Sequence, residues 1–289
     1  MMDDKIKSKV KKILGSPISD MQSLSGGCIS NAYKINTKDG NSFFLKYNYS
    51  ASANMFIAEA HGLKELDKAG VITIPKVVGF DKDFILLELI DSSGKSKNFS
   101  EDFGRKFAQL HKFNNEYYGF YEDNFIGSNP QINIPDNDEN KNWTHFYFNK
   151  RILYQYHLAE RLGNSTSELK KAISLLENKI DSIVTDNGEK PSLLHGDLWG
   201  GNYMVDKNGS ACLIDPAVYY GNREADLAMT KLFGGYDSKF YNAYNEEYPL
   251  PDGYNYRENI YKLYHVLNHL NLFGGGYYSQ AISLIKYYL

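Results

Sequence analysis

The stretch from Ser192 to Asp215 constrains this chain more than any other. Two short apolar runs, Ser192-Leu193-Leu194 and Ala211-Cys212-Leu213-Ile214, bracket the polar turn His195-Gly196-Asp197-Leu198-Trp199-Gly200-Gly201-Asn202. Runs this short, bounded by Gly, Asp and Asn, read as buried strands. They must be set within a larger body, and the rest of the chain divides into two parts that can provide it.

Before residue 90 the pattern favours a sheet with helices. Residues 3 to 14 look helical, and SLSGGCISNAYKINTKDGNSFFLKY reads as two strands around an Asp39-Gly40 turn, one of the stronger short hairpin signals. Ala53 to Ala69 is rich in helix formers, stops at Gly70 and precedes a strand start marked by Pro75, which puts Glu59 on a helix between strands. Phe84 to Ile90 is a continuous apolar run with one charge, and the polar DSSGKSKN after it marks a lobe boundary. Beyond it, Ser100 is placed to cap a helix through His111 with Phe103, Phe107 and Leu110 on one face. Residues 114 to 142 are Asn- and Pro-rich and loop-like. Ser165-Thr166-Ser167-Glu168 is a capping box ahead of Leu169, Ile173, Leu176, Ile180 and Ile183 at helical spacing. Further helices are expected at about Arg223 to Phe233 and Tyr256 to Phe273, each ending in glycines. The expected class is α+β, with an N-terminal lobe over 1–90 holding an antiparallel sheet and a helix, and a mainly helical lobe over 91–289. A chain of 289 residues has room for both, since single cores stop growing near ~250 to 300 residues.

Composition removes several classes. A net charge of -3 gives no footprint for nucleic acid, and the basic residues between Lys5 and Lys12 are interleaved with apolar ones, as on the wet face of a helix. No apolar run approaches the ~20 residues of a membrane span, and the charged start lacks a signal-peptide core, so a cytoplasmic protein is expected. Two cysteines, Cys28 and Cys212, make no disulfide framework and no Cys/His cluster has zinc spacing, so both are expected as reduced thiols.

Asp197, Asn202 five positions later and Asp215 at the end of an apolar strand follow the order of the catalytic loop and metal-binding aspartate of the kinase fold. Phosphoryl transfer needs a carboxylate beside the acceptor hydroxyl and oxygen ligands that hold magnesium on the phosphates, and these three residues supply that set. A plain reading of Asp and Asn as turn residues competes with this. Lys46 on the strand FFLKY and Glu59 on the next helix suit a phosphate-binding lysine and its orienting partner. The turn holding Gly26 and Gly27 can approach phosphates through backbone N–H groups, although it lacks a full GxGxxG. Cys28 in that turn is either a bystander or a redox-sensitive thiol. Trp199 stands where protein kinases carry lysine. The interval from Asp215 to the helix near Asp226 is too short for an activation segment and holds no Ala-Pro-Glu. A small-molecule acceptor is therefore expected, with Trp199 either a flat platform for a sugar ring or a core residue. Asp226 is expected to accept hydrogen bonds from the loop backbone, direct substrate contact being the alternative. His195 is expected to pack beneath the loop rather than exchange protons.

GGCISNAYKI (26 to 35), YGFYEDNFIGSNPQIN (118 to 133), WTHFYFNKRILYQ (143 to 155), LLHGDLWGGN (193 to 202) and IDPAVYYGNREADLAMTKLFGGY (214 to 236) together resemble the fructosamine and ketosamine 3-kinases, relatives of aminoglycoside and choline kinases. The resemblance implies a two-lobed protein-kinase-like fold with ATP and Mg2+ as cofactors. It implies Asp197 as proton acceptor, Asn202 and Asp215 on magnesium, and Lys46 with Glu59 at the phosphates. It also implies that Glu88, Leu89 and Ile90 meet adenine through their backbone. The implied activity is phosphorylation of the sugar 3-hydroxyl of free or protein-bound ketosamines, after which the adduct decomposes and frees the amine: deglycation repair. An aminoglycoside- or choline-type kinase would share every one of these residues and differ in its acceptor pocket. A non-catalytic binding module would be expected to have lost one of Lys46, Asp197, Asn202 or Asp215, and all four are present.

Overall fold

The computed structural model describes residues 4–24, 30–49, 52 and 54–289. The chain forms two compact units, residues 1–99 with 203–216, and residues 100–202 with 217–289. A single cut after residue 90 thus gives way to three crossings. The cause is pairing between distant segments: Thr73 bridges Cys212 and Ser92 bridges Asp206, which draws 203–216 into the first unit.

The first unit is built on an antiparallel sheet of β1 (Ile18–Leu24), β2 (Asn31–Thr37), β3 (Ser42–Tyr47), β4 (Val77–Asp81) and β5 (Phe84–Glu88), ordered β1-β2-β3-β5-β4. The Asp39-Gly40 turn joins β2 to β3 as expected, with Gly40 at φ 86°. The additional strand β1 was not legible, because ISDMQSL is mostly exposed and alternates weakly. Helix α1 (Asp4–Leu14) lays Ile6 and Val10 on Ile35, Leu45, Tyr47, Phe84 and Leu86 to make one core. Helix α2 (Met55–Asp67) buries Phe56, Ala60, Leu63 and Leu66 and holds Glu59 near the sheet. Burying each such side chain contributes about 1.5 to 3 kcal/mol. The hairpin Tyr203–Val205/Ala211–Leu213 completes the unit, with Cys212 fully buried and its thiol pushed up to about 12 chiefly by burial. Cys212 is the free cysteine among the described residues, and Cys28 lies outside them.

The second unit is mainly helical. Ser192–Leu194 pairs with Tyr219–Gly221 rather than with the Ala211–Leu213 strand, so the loop 195–202 is carried by this unit. Ser100 sits inside helix α3 (Phe99–His111), and instead of capping it donates to Asp237 at 2.6 Å. The segment 114–142 is ordered where a loop was expected. A hairpin, Asn124–Ile126 with Asn129–Gln131, buries its amides: Gln131 donates to Asn124 and to the Ala217 carbonyl, each at 2.8 Å. Asparagines read as loop formers are here a buried polar framework, satisfied as burial requires. The capping pattern is displaced by one residue. Thr166, not Ser165, accepts from Leu169 N, and the helix Ser167–Glu177 stops before a short second helix, Ile180–Ile183, that still buries Ile180 and Ile183.

The helices Glu224–Leu232 and Tyr254–Phe273 pack directly on each other. Arg257 on the second grips Glu224 on the first with two bonds, Nε to Oε2 at 2.7 Å and Nη2 to Oε1 at 2.6 Å, both groups buried. Removing one partner leaves the other charge uncompensated. Arg257→Met is expected to cost about 3 to 5 kcal/mol, read as a fall in the urea midpoint, while the double variant Glu224→Met/Arg257→Met recovers part of that loss.

Candidate functional site

The polar residues singled out by sequence gather in two clusters, one in each unit. In the first, strand alternation turns Lys46 away from Leu45 and Tyr47, which are buried in the α1 core. Lys46 Nζ donates to Glu59 Oε2 at 3.0 Å and Oε1 at 3.2 Å, and to Asp215 Oδ1 at 2.9 Å, across 169 residues of chain. Asp215 ends the hairpin with φ 52°, a left-handed conformation that few non-glycine residues adopt. Such outliers persist where surrounding structure holds them. Two carboxylates share one ammonium here. Burial would lower the lysine, but Glu59 and Asp215 outweigh it and hold Lys46 protonated above its ordinary value. Burial together with Asp215 pushes Glu59 up to about 7 against the pull of Lys46. Lys46 and Glu59 are largely enclosed, whereas Asp215 is 47% exposed and can reach a bound group. Glu88 closes β5 and pairs with Phe43, which leaves Leu89 and Ile90 beyond the last ladder position. Gly26 and Gly27 fall outside the described residues.

The second cluster is the loop 195–202. Asn202 Nδ2 donates to the Asp197 carbonyl at 2.8 Å and to Asp197 Oδ2 at 3.1 Å, so both donors face the aspartate and Oδ1 remains as an acceptor. Gly196 has φ 82°, and a Cβ there would lie 2.0 Å from the Ala217 carbonyl, so no other residue fits between the loop and its neighbouring strand. His195 is fully buried, with its carbonyl accepting from Ala217 N and its Nδ1 accepting from Asp197 N at 3.3 Å. It packs beneath the loop. Trp199 is 39% exposed and stands edge-on to Phe233 at 6.1 Å.

Asp226, 2% exposed, holds the loop from below: His195 N and Gly196 N donate to its two oxygens at 2.7 and 2.8 Å. His111 Nε2 adds a third bond at 3.2 Å, while the Tyr244 hydroxyl donates to His111 Nδ1 at 2.7 Å. Burial keeps the His111 imidazole below its ordinary range, so the ring is a neutral donor. Burial alone would raise Asp226, but the His111 bond, the neighbouring imidazoles and the Gly196 N–H outweigh it and depress its pKa.

Sequence reasoning missed Arg151. It lies in a π-helical turn, Phe148–Leu153, fully buried, with its guanidinium 4.1 Å from the Tyr219 ring centre and a bond to Asn133 Oδ1 at 2.7 Å. The cue was a basic residue inside the apolar aromatic run WTHFYFNKRIL, since a π-turn marks an inserted residue and is frequent at functional sites.

Among the described residues no group of three or more His, Cys, Asp or Glu is disposed to hold a metal by itself. Mg2+ needs no such group, since it takes one or two protein oxygens and completes its shell with substrate phosphates and water. Asp215 Oδ and Asn202 Oδ1 are hard oxygen donors of the right kind.

Because its folded pKa lies below its unfolded value, the Asp226 carboxylate contributes stability that is present above about pH 4 and lost as pH falls through the folded value. Asp226→Asn is expected to cost about 2 to 4 kcal/mol near neutral pH, and its deficit relative to the parent should narrow below about pH 4 in acid-titrated urea unfolding.

The sequence profile of the family described as Fructosamine kinase matches residues 2–289. The chloroplastic protein-ribulosamine 3-kinase of Arabidopsis thaliana is 40% identical over 282 residues, which cover 94% of this chain and 83% of that protein. A Thermobifida fusca protein provisionally named a fructosamine-3-kinase has a crystal structure that superposes with TM-score 0.87 at 30% identity, covering 99% of both chains. The choline kinase LicA of Streptococcus pneumoniae superposes with TM-score 0.63 at 16% identity over 99% of both chains, a likeness of fold alone.

Proposed function

Since this chain belongs to the fructosamine kinase family, we propose that it phosphorylates the sugar 3-hydroxyl of ketosamines with ATP, as a deglycation repair enzyme. What carries this reading is a family match over residues 2–289 of a chain that contains Lys46, Asp197, Asn202 and Asp215, the residues expected to serve phosphoryl transfer. Its fold is α+β and protein-kinase-like.

In the proposed reaction Lys46, oriented by Glu59, pairs with the ATP phosphates, and the backbone of Glu88, Leu89 and Ile90 meets adenine. The backbone N–H groups of Gly26 and Gly27 approach the phosphates. Asp215 and Asn202 hold Mg2+, which neutralises phosphate charge when bound. Asp197 accepts the hydroxyl proton as the sugar oxygen bonds to the γ-phosphorus and the bond to the ADP oxygen breaks. One Asn202 bond reaches the Asp197 carboxylate and the other its backbone carbonyl, contacts that support an oriented base.

Asp197→Asn is expected to lower kcat by about 10²- to 10⁴-fold while ATP still binds, and Asp215→Ala to weaken Mg2+-dependent ATP binding as well. ATP consumption with ribulosyl-lysine, fructosyl-lysine, choline and an aminoglycoside, blanked by Asp197→Asn, tests the acceptor. Turnover confined to the ketosamines supports the reading, and turnover of choline or the aminoglycoside instead replaces it with the alternative small-molecule kinase.

A further inference from the structure

An aromatic row starts at the loop that carries Asp197. Trp199 meets Phe233 edge-on, Phe233 packs on the His269 ring at 4.8 Å, and His269 touches Phe273 at 5.6 Å and Tyr277 at 5.2 Å. The apolar members are unusually open: Trp199 and Phe233 are each 39% exposed and Phe273 is 63% exposed. Aromatic rings of this size normally contribute by being covered. The row is also fixed relative to the reacting carboxylate. Phe233 caps the helix that carries Asp226, the anchor of the loop, and His269 lies one turn beyond His265 and Tyr264 on the helix Tyr254–Phe273.

Its polar member is His269. Nδ1 lies 2.7 Å from the His265 carbonyl oxygen, which only accepts, so Nδ1 carries the proton and Nε2 the lone pair. Burial lowers the pKa of this ring, so it is neutral near pH 7. Partly exposed aromatic rings beside an imidazole lone pair suit a cation that bears an N–H.

If ketosamines are the acceptors, what separates them from free ketoses is a secondary amine, protonated at neutral pH. Resting on that acceptor class, we propose that Trp199, Phe233 and His269 form the subsite for the ammonium: its N–H donates to His269 Nε2 and its charge rests against the indole and phenyl faces. Substrate choice then depends on the carrier side of the sugar as well as on its hydroxyls.

The test compares an N-alkyl ribulosamine with the O-alkyl ether of the same sugar, which keeps every hydroxyl and loses the charge. The parent should favour the amine in kcat/KM by about tenfold or more. His269→Phe keeps the ring but removes the lone pair, and it should raise the amine KM about tenfold while moving the ether KM and the ATP KM far less. Phe233→Leu should erode the same preference and checks the subsite without touching His269. Equal kcat/KM on amine and ether in the parent, or equal KM rises for both in His269→Phe, overturns the subsite. No turnover of either sugar by a parent that phosphorylates choline or an aminoglycoside overturns the ketosamine reading itself, and the subsite with it.

Discussion

A single buried carboxylate organises the second unit. Asp226 is removed from water, which would penalise its charge heavily, and it is tolerated because two consecutive backbone N–H groups and an imidazole point at it. Those bonds consume donors that the turn at Gly196 would otherwise leave unsatisfied, so loop and helix each satisfy the other's unmet need. The arrangement is extended outward by Arg257 and Glu224, which fix the same helix to its long neighbour, and by Arg223, whose guanidinium takes Glu189 in two bonds at 2.6 and 2.9 Å. The loop geometry is therefore set by helix packing together with the loop's own Gly196 and Asn202.

The first unit works by a different balance. Lys46, Glu59 and Asp215 set two carboxyl groups around one ammonium, in a place where Lys46 and Glu59 are mostly shielded from solvent and burial lifts Glu59 to about 7. The lysine stays protonated there because both carboxyl groups hold its charge against the cost of burial. The left-handed backbone at Asp215 brings the second carboxylate to a lysine far away in sequence.

Much of this was legible because chemistry and periodicity coincided. The helix bearing Glu59 and the strand FILLE announced themselves through composition, and Asp197, Asn202 and Asp215 through spacing. The contact between Lys46 and Glu59 was readable because helix and strand are neighbours in sequence. What was not legible depended on distant pairing. The Ser192–Leu194 strand chooses Tyr219–Gly221, and the hairpin after Asn202 joins the other unit; no local pattern encodes either choice. Asn124, Gln131 and Asn133 looked like loop residues because their amides prefer turns, and only burial against the Val218 and Ala217 carbonyls and Arg151 turns them into framework. Phe233 and His269 gave no sequence signal, since a lone aromatic at a helix end and a lone histidine within a helix are ordinary.

Cys212 has one more consequence. Its sulfur is sealed beneath the bridge to Thr73 and disinclined to ionise, so it is closed to reagents that attack through a thiolate. Of the two cysteines in the chain, Cys212 is thereby withdrawn from thiolate chemistry for as long as the protein stays folded, and its reaction with a maleimide reports unfolding of the first unit.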